Sequence, residues 1–353
     1  MTTLPSKMKG WTVTSNGEPK KALTLKHDLP VPKPPPTGSD ILVKILYAAI
    51  NPVDLHFMNV LPSWLPIRYH PTPGFDFSGE IVAVGPSVKD SHPELKIGEK
   101  VCGAMATKQV TFGKGALVEY VTVPAEMVSL VPRETSGGLS LEQAAGLAGI
   151  AGQTASFMAE QGRVEKGWRV VVIGASGGVG SLLVQILKSK GAVVYAICSE
   201  GNKTLVEGLG VDEVIPYDTH APVEKYLEEK FKDQQLDLIF DCAGNEVIYT
   251  NSPKYLKQGG RFLTIVGGRS QGIVPFILYK MRPVILGGTP RPFELLALMP
   301  GGALARKAVE YANEGAIKEA PVDSEYAMED AVKAYEKLAG KHAKGKIVIK
   351  VGA

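Results

Sequence analysis

The residues with the clearest capacity for chemistry in this chain form a glycine-rich turn, G-A-S-G-G-V-G, at 174–180. It lies between the apolar run RVVVIG and the stretch SLLVQILKSKG, where the spacing of Leu183, Ile186 and Leu187 predicts an amphipathic helix stopped by Gly191. A strand–turn–helix of this kind points unpaired N–H groups and the positive end of the helix dipole at one spot, which suits an anion. The run A-S-G-G-V-G matches G-x-G-x-x-G except that Ala175 replaces the first glycine. Gly177 would let backbone approach a pyrophosphate, and Gly180 would let the new helix pack tightly on the strand. Ser176, Gly178 and Val179 complete the loop expected to cradle the phosphates. A tight turn without a ligand is the plainer alternative, but the further strand–helix units that follow favour a dinucleotide.

The end of the next strand bears on which dinucleotide. An acid there would hold the ribose 2′-hydroxyl of NADH and repel a 2′-phosphate. Here AVVYAIC (192–198) runs into Ser199, Glu200, Gly201, Asn202 and Lys203. Ser199 could donate a hydrogen bond to a phosphate, and Lys203 could supply the charge. Glu200 falls near the place of the NADH-type acid, but two residues into a loop it can turn to solvent. NADPH is therefore the expected cofactor.

These residues need a scaffold, and the remaining sequence supplies one. With 353 residues the chain suits two domains, and 44% hydrophobic with 21% charged residues suits a packed, globular interior. A net charge of +3 gives no reason to expect a nucleic-acid partner. No apolar stretch is long enough for a membrane span, and the N-terminal residues lack the apolar core of a secretory signal. Cys102, Cys198 and Cys242 are too few and too dispersed for a disulfide framework or a metal clip, so a reducing, cytoplasmic setting is expected. Short strands at 41–50, 79–85, 100–106 and 117–124 make the first third β-rich. A single Ala-rich helix, capped by Ser140, is expected over 139–162. Buried-type strands at 192–198, 212–217, 236–244 and 260–268 alternate with helices, predicting a parallel sheet. Helices at 303–315 and 328–340 and a strand at 345–351 close the chain. The fold class is α/β: a doubly wound domain inserted into a β-rich one.

The motifs NPVDLH (51–56), PGFDFSGEIVAVG (73–85), GEKV (98–101), AAGLAGIAGQTA (144–155), GASGGVG (174–180) and HAKGKIVIKV (342–351) occur in an order that resembles the medium-chain dehydrogenase/reductase superfamily over nearly the whole chain. The closest likeness is to its zinc-free quinone oxidoreductase-like branch, including the reticulon-4-interacting-protein type and fungal enoyl reductases. The resemblance implies a GroES-like catalytic domain, here 1–133 with 291–353, a Rossmann NADP-binding domain, here 134–290, and a cleft between them. Zinc-dependent members carry a ligand Cys where this chain has Asn51 and a ligand His where it has Phe75. Zinc needs about three protein ligands and an open position, so no metal is expected. His56 and Asp76 are read as a hydrogen-bonded structural pair.

By the same resemblance, Asn51 would bond cofactor or substrate near the nicotinamide, although it could simply hold the turn before Pro52. Thr154 would face the nicotinamide, or else bond back to a helix carbonyl. Tyr217 would line the adenosine phosphate pocket with Ser199 and Lys203, and Gly267 and Gly268 would let backbone approach the nicotinamide. A proton donor is harder to name. Tyr47, Tyr69 and His56 lie in the substrate half, and Tyr69 joins Asn51 as a catalytic candidate, with solvent as the alternative. Asp54 is expected to be structural, and Lys344 and Lys346 to flank the closing strand. The segment 274–288 is expected to form an edge strand pairing across a homodimer axis, and 289–304 to cap a cleft for a hydrophobic substrate.

Without a metal to polarise an alcohol or carbonyl oxygen, hydride transfer to an electron-poor conjugated system is the feasible chemistry. The expected activity is NADPH-dependent reduction of an enone, an enal or a quinone. A trans-acting enoyl reductase of secondary metabolism and a non-catalytic NADPH-binding protein are the alternatives. Replacing Lys203 with Ala should raise the KM for NADPH far more than that for NADH, as measured by initial rates with each cofactor. Equal changes would remove the 2′-phosphate assignment.

Overall fold

The computed structural model describes residues 4–34, 36–59, 71–132, 138–266 and 283–352. In chain order the strands are β1 (Lys7–Val13), β2 (Leu23–Pro30), β3 (Asp40–Ile50), β4 (Asp76–Val84), β5 (Lys100–Ala104), β6 (Tyr120–Pro124), β7 (Val128–Leu130), β8 (Arg169–Ile173), β9 (Val193–Cys198), β10 (Glu213–Pro216), β11 (Leu236–Asp241), β12 (Leu256–Thr264), β13 (Phe293–Leu295), β14 (Val322–Ala327) and β15 (Lys346–Lys350). The chain divides into two compact units, Met1–Gln153 with Met299–Ala353, and Thr154–Leu298. The division follows Gln153 rather than Arg133, because the helix Leu141–Leu147 packs on β3, β4 and β15.

The second unit is a parallel sheet in the order β10-β9-β8-β11-β12-β13. Val170, Val171 and Val172 in β8 are fully buried, as are Leu238, Ile239 and Phe240 in β11. Helices must therefore cover both faces, which is why these strands lack polar alternation. The helix Gly178–Ser189 buries Leu182, Leu183, Ile186 and Leu187. The chain leaves β8 toward β9 and β10 on one side and reaches β11 on the other, so the connection reverses between β8 and β11. That reversal is where sheets of this class open a binding crevice.

The first unit holds a mixed sheet ordered β14-β15-β3-β4-β5-β7, with β6 also paired to β3. An antiparallel hairpin, β1–β2, lies beside it. The buried Trp11 indole donates to the Met328 carbonyl at 2.7 Å, meeting the one polar demand of that ring. The helix Ala331–Ala339 buries Ala331, Ala334, Tyr335 and Leu338, one stripe at helical spacing. The single helix expected over 139–162 is two, Leu141–Leu147 and Ile150–Gly162, with a break at Ala148–Gly149. Ser140 caps the first, accepting the Gln143 amide while the Gln143 side chain accepts the Ser140 amide.

This core takes in a carboxyl group. The sequence N-P-V-D starts the helix Pro52–Asn59 with proline at its first position, and Asp54 reaches back so that its Oδ2 accepts the Asn51 amide at 2.7 Å. Asp54 is 1% exposed, and among the described residues its Oδ1 and the buried Tyr335 hydroxyl have no hydrogen-bond partner. Burial, then the neighbouring Asp76 carboxylate, pushes Asp54 up to about 8, against the opposing pull of the Asn51 amide, the Lys346 ammonium and the Phe75 backbone. Asp54 is thus a neutral acid near pH 7, facing Asp76, Lys346 and Tyr335.

The sign of the linkage follows. Between its ordinary value of 3.8 and about 8, native Asp54 keeps a proton that the unfolded chain has released, so stability falls as pH rises through that window. Asp54→Asn keeps the shape of the neutral acid and removes its titration. Urea unfolding at a series of pH values should show the wild type losing stability faster than Asp54→Asn across this range, by on the order of 1 kcal/mol per pH unit. Parallel pH dependence in the two proteins would show that Asp54 ionises normally.

Candidate active site

In the second unit the glycine turn follows β8 at the reversal point. Gly177 is the N-cap of the helix Gly178–Ser189, and no side chain caps the helix. A Cβ added at Gly177 would meet only the Gly174 carbonyl, at 3.4 Å, whereas one at Gly180 would lie 2.2 Å from the same oxygen. The turn is therefore open where an anion would approach and closed where helix meets strand. Uncapped helical amides beside an open backbone fit a dinucleotide pyrophosphate. At the end of β11, Asp241 accepts the amides of Ala243, Gly244 and Asn245 and the Thr264 hydroxyl. Burial raises its pKa, and these donors oppose the rise. Asp241 thereby ties together the C-terminal ends of β11 and β12.

Around the end of β9 the expected 2′-side residues come together. The Tyr217 amide donates to the Cys198 carbonyl at 3.0 Å, which sets Tyr217, 49% exposed, beside Ser199. Lys203 opens the helix Lys203–Gly208, with Nζ 4.0 Å from Glu207 one turn on. Asn202 Nδ2 donates to Ser176 Oγ at 2.9 Å and so fastens this loop to the glycine turn. The Glu200 amide donates to Asp218 Oδ1 at 2.9 Å. Burial, then the charges of Asp218, Glu200 and Glu207, push the Cys198 thiol up to about 11. Lys203 therefore sits in a neighbourhood that also holds three carboxylates.

In the first unit, Asn51 follows the end of β3, Asp76 begins β4 and Lys346 begins β15; all three are buried. Lys346 Nζ donates to Asn51 Oδ1 at 2.6 Å, to Asp76 Oδ2 at 3.1 Å and to the Ile50 carbonyl at 3.1 Å. Asn51 Nδ2 donates to Asp76 Oδ2 at 2.8 Å. Asp76 Oδ1 accepts the Ile150 amide at 2.8 Å, so this carboxylate also caps the helix Ile150–Gly162. Burial raises the Asp76 pKa; the Lys346 ammonium, then the Asn51 and Ile150 donors, oppose the rise. With an ammonium and two further donors on it, Asp76 is the ionised acid, while Asp54 stays neutral. The motif A-A-G-L-A-G provides the clearance: a Cβ at Gly149 would lie 2.2 Å from Asp76 Cγ, and one at Gly146 would lie 2.8 Å from Lys346 Cγ.

Ser176, Gly177, Gly178, Val179, Gly180, Ser199, Lys203 and Tyr217 thus gather at the C-terminal ends of β8, β9 and β10. Thr154, 5% exposed, lies in the helix Ile150–Gly162. Asn51 belongs to the first unit, and Tyr69, Gly267 and Gly268 lie outside the described residues. Most of the segment 274–288 also lies outside them; its end forms a 3₁₀ turn, Val284–Leu286, and the described edge strand is β13. Asp76 pairs with Lys346 and Asn51, not with His56, which is exposed. Lys346 does not merely flank the last strand: its ammonium turns into the core, drawn by the Asp76 charge. Sequence reasoning did not join Asp76 and Lys346 to Asn51, gave Asn202 no role and missed Asp241. The available signal was a charged residue within an otherwise apolar strand, F-D-F and K-I-V-I, which demands a buried partner.

The residues around Asn51 do not suit zinc. Phe75 offers no ligand atom, and a cation at Asn51 Oδ1 or Asp76 Oδ2 would have to displace the ammonium already there. Among the described residues, no group of three or more His, Cys, Asp or Glu side chains is placed to hold a metal ion.

Comparison with known proteins agrees with this architecture. Residues 37–133 match the alcohol dehydrogenase GroES-like domain family, and residues 209–349 match the zinc-binding dehydrogenase family. The chain is 32% identical over 370 residues to the medium chain reductase pydE of an Acremonium species, covering 99% of this chain and 100% of that one. It is 31% identical over 378 residues to the trans-enoyl reductase poxH of Penicillium oxalicum, covering 98% of each. Among solved structures, the quinone oxidoreductase of Coxiella burnetii shares the fold with a TM-score of 0.77 at 24% identity, over 98% of this chain and 99% of that one. The two-unit architecture, the glycine turn and the full-length likeness together place the chain in the medium-chain dehydrogenase/reductase superfamily.

Proposed function

We propose that this protein is an NADPH-dependent, metal-independent reductase of conjugated carbonyl compounds or quinones. The observation that carries the reading is the Asn51–Asp76–Lys346 cluster: where zinc-dependent relatives hold their metal, this chain holds an ammonium hydrogen-bonded to a carboxamide. Bound dinucleotide supplies a hydride, and the open turn at Gly177 with the uncapped amides behind it supports its binding. Ser199 and Lys203 support a 2′-phosphate, with Tyr217 beside them. Asn51 contributes a polar contact to the substrate carbonyl, and solvent supplies the proton. The name of poxH, a trans-enoyl reductase, favours an enoyl substrate within this class.

A second reading concerns the cofactor alone. Glu200, Glu207 and Asp218 surround the same loop as Lys203, and their negative field favours NADH. A cytoplasmic homodimer completes the proposal. Its support is that, among the described residues, β13 is an edge strand, with Val284, Ile285 and Leu286 exposed shortly before it. No helix among the described residues is long and apolar enough to cross a membrane.

Purified protein should oxidise NADPH when given quinones, enals, enones or an enoyl thioester, followed as the loss of reduced-cofactor absorbance. Tight NADPH binding with no acceptor turning over would favour a non-catalytic dinucleotide-binding protein instead. Turnover confined to the thioester would select the enoyl reductase. A higher kcat/KM with NADH would overturn the cofactor assignment.

A further inference from the structure

The Asn51 carboxamide is held by an ion at each end. Its oxygen takes the Lys346 ammonium at 2.6 Å, and its nitrogen donates to the Asp76 carboxylate at 2.8 Å. Exchanging oxygen and nitrogen would set an NH₂ group against an ammonium and a carbonyl oxygen against a carboxylate, so only one orientation is stable. Lys346 uses all three of its N–H donors, on Asn51, Asp76 and the Ile50 carbonyl. Both Asp76 oxygens are engaged, one by Lys346 and Asn51 and the other by the Ile150 amide. Among the described residues, the second N–H of Asn51 Nδ2 is the uncommitted donor of this cluster.

We propose that Lys346 and Asp76 are positioning residues for the reduction: they fix the Asn51 carboxamide so that its second Nδ2–H donates to the substrate carbonyl oxygen as negative charge develops there. This rests on the reading that Asn51 meets the substrate. A dinucleotide held at the glycine turn would supply the hydride that the acceptor takes at its β-carbon, and the conjugated π electrons would shift onto the carbonyl oxygen. A proton from water then closes the α-carbon bond, leaving the acceptor reduced by two electrons and the cofactor oxidised. A donor fixed before the charge arrives stabilises it without reorganising, and the ammonium on Oδ1 strengthens the N–H through the amide. Gly146 and Gly149 belong to the same device. Their bare Cα atoms let the two-helix joint press against Lys346 and Asp76, leaving neither side chain room to swing away.

The test compares Gly149→Ala, Gly146→Ala, Lys346→Met and Asn51→Ala. The glycine variants displace a charged side chain without changing the chemistry of any cluster member. Circular dichroism and the NADPH Kd report on folding and on the cofactor site. In variants that keep both, kcat for an acceptor that the wild type turns over should fall on the order of tenfold to a hundredfold, with the acceptor KM changed only a few-fold. Lys346→Met added to Asn51→Ala should cost little more, because both remove one interaction. Full activity in Asn51→Ala would defeat the reading that Asn51 meets the substrate. A crippled Asn51→Ala beside fully active, folded Lys346→Met and Gly149→Ala would defeat the positioning proposal alone. Should those variants not fold, wild-type protein labelled with ¹⁵N in the asparagine side chains decides. With NADP⁺ and an unreactive ketone bound, one Asn51 Nδ2–H resonance should move while the one held by Asp76 stays. Neither moving would overturn the proposal.

Discussion

Lys346 and Asp76 carry opposite charges into a region where their side chains are only 7% and 0% exposed. Removing two such ions from water costs several kcal/mol each, and their mutual attraction offsets this only when every remaining donor and acceptor is matched. Here the matching partners come from widely separated pieces of chain: the end of β3, the start of β4, the start of β15 and the first amide of the helix Ile150–Gly162. None of these can shift without exposing an unpaired charge to the apolar core. The pair is thus weak evidence for stability but a strong constraint on register, and Asn51 lies at its centre.

Asp54 follows from the same constraint. Two carboxyl groups and one ammonium share this interior, and the charges balance only if one acid keeps its proton. Asp76, with the ammonium and two further donors, is the one that ionises. Asp54, with the Asn51 amide on one oxygen and no described partner on the other, is the one that stays neutral. The polar interior is therefore neutral overall, which suits its place among Phe75, Phe77 and Met58.

What could be read from sequence was what local physics determines. The glycine turn, its helix and the buried parallel strands announce themselves within a few residues, and the turn, the helix and the parallel sheet are found in the structure. The hairpin β1–β2 is not among the strands read from sequence, although its second strand runs as far as Pro30. The joint at Gly149 was missed because alanine-rich sequence propagates a helix, and only the Asp76 carboxylate pressing on Gly149 explains the break. Lys346 and Asp76 lie 270 residues apart. A lone charge in a strand shows that a partner is needed but not which residue provides it. Around Ser199 and Lys203 the sequence displayed Glu200, but Asp218 enters only because β10 lies against β9.

The insertion of β15 between β14 and β3 has a consequence for biogenesis. On the ribosome, β3 and β4 emerge early, with Asp76 already due for burial, while the strand bearing its counter-ion is translated 270 residues later. The whole second unit is synthesised in between, and a parallel βα unit of that kind can begin folding on its own sheet. The nascent first unit therefore waits with Tyr47–Ile50 of β3 lacking the strand that pairs with them in the finished sheet. Its polar centre assembles only when β15 pairs with that end of β3, so completing the sheet and orienting Asn51 become a single late event in the life of the chain.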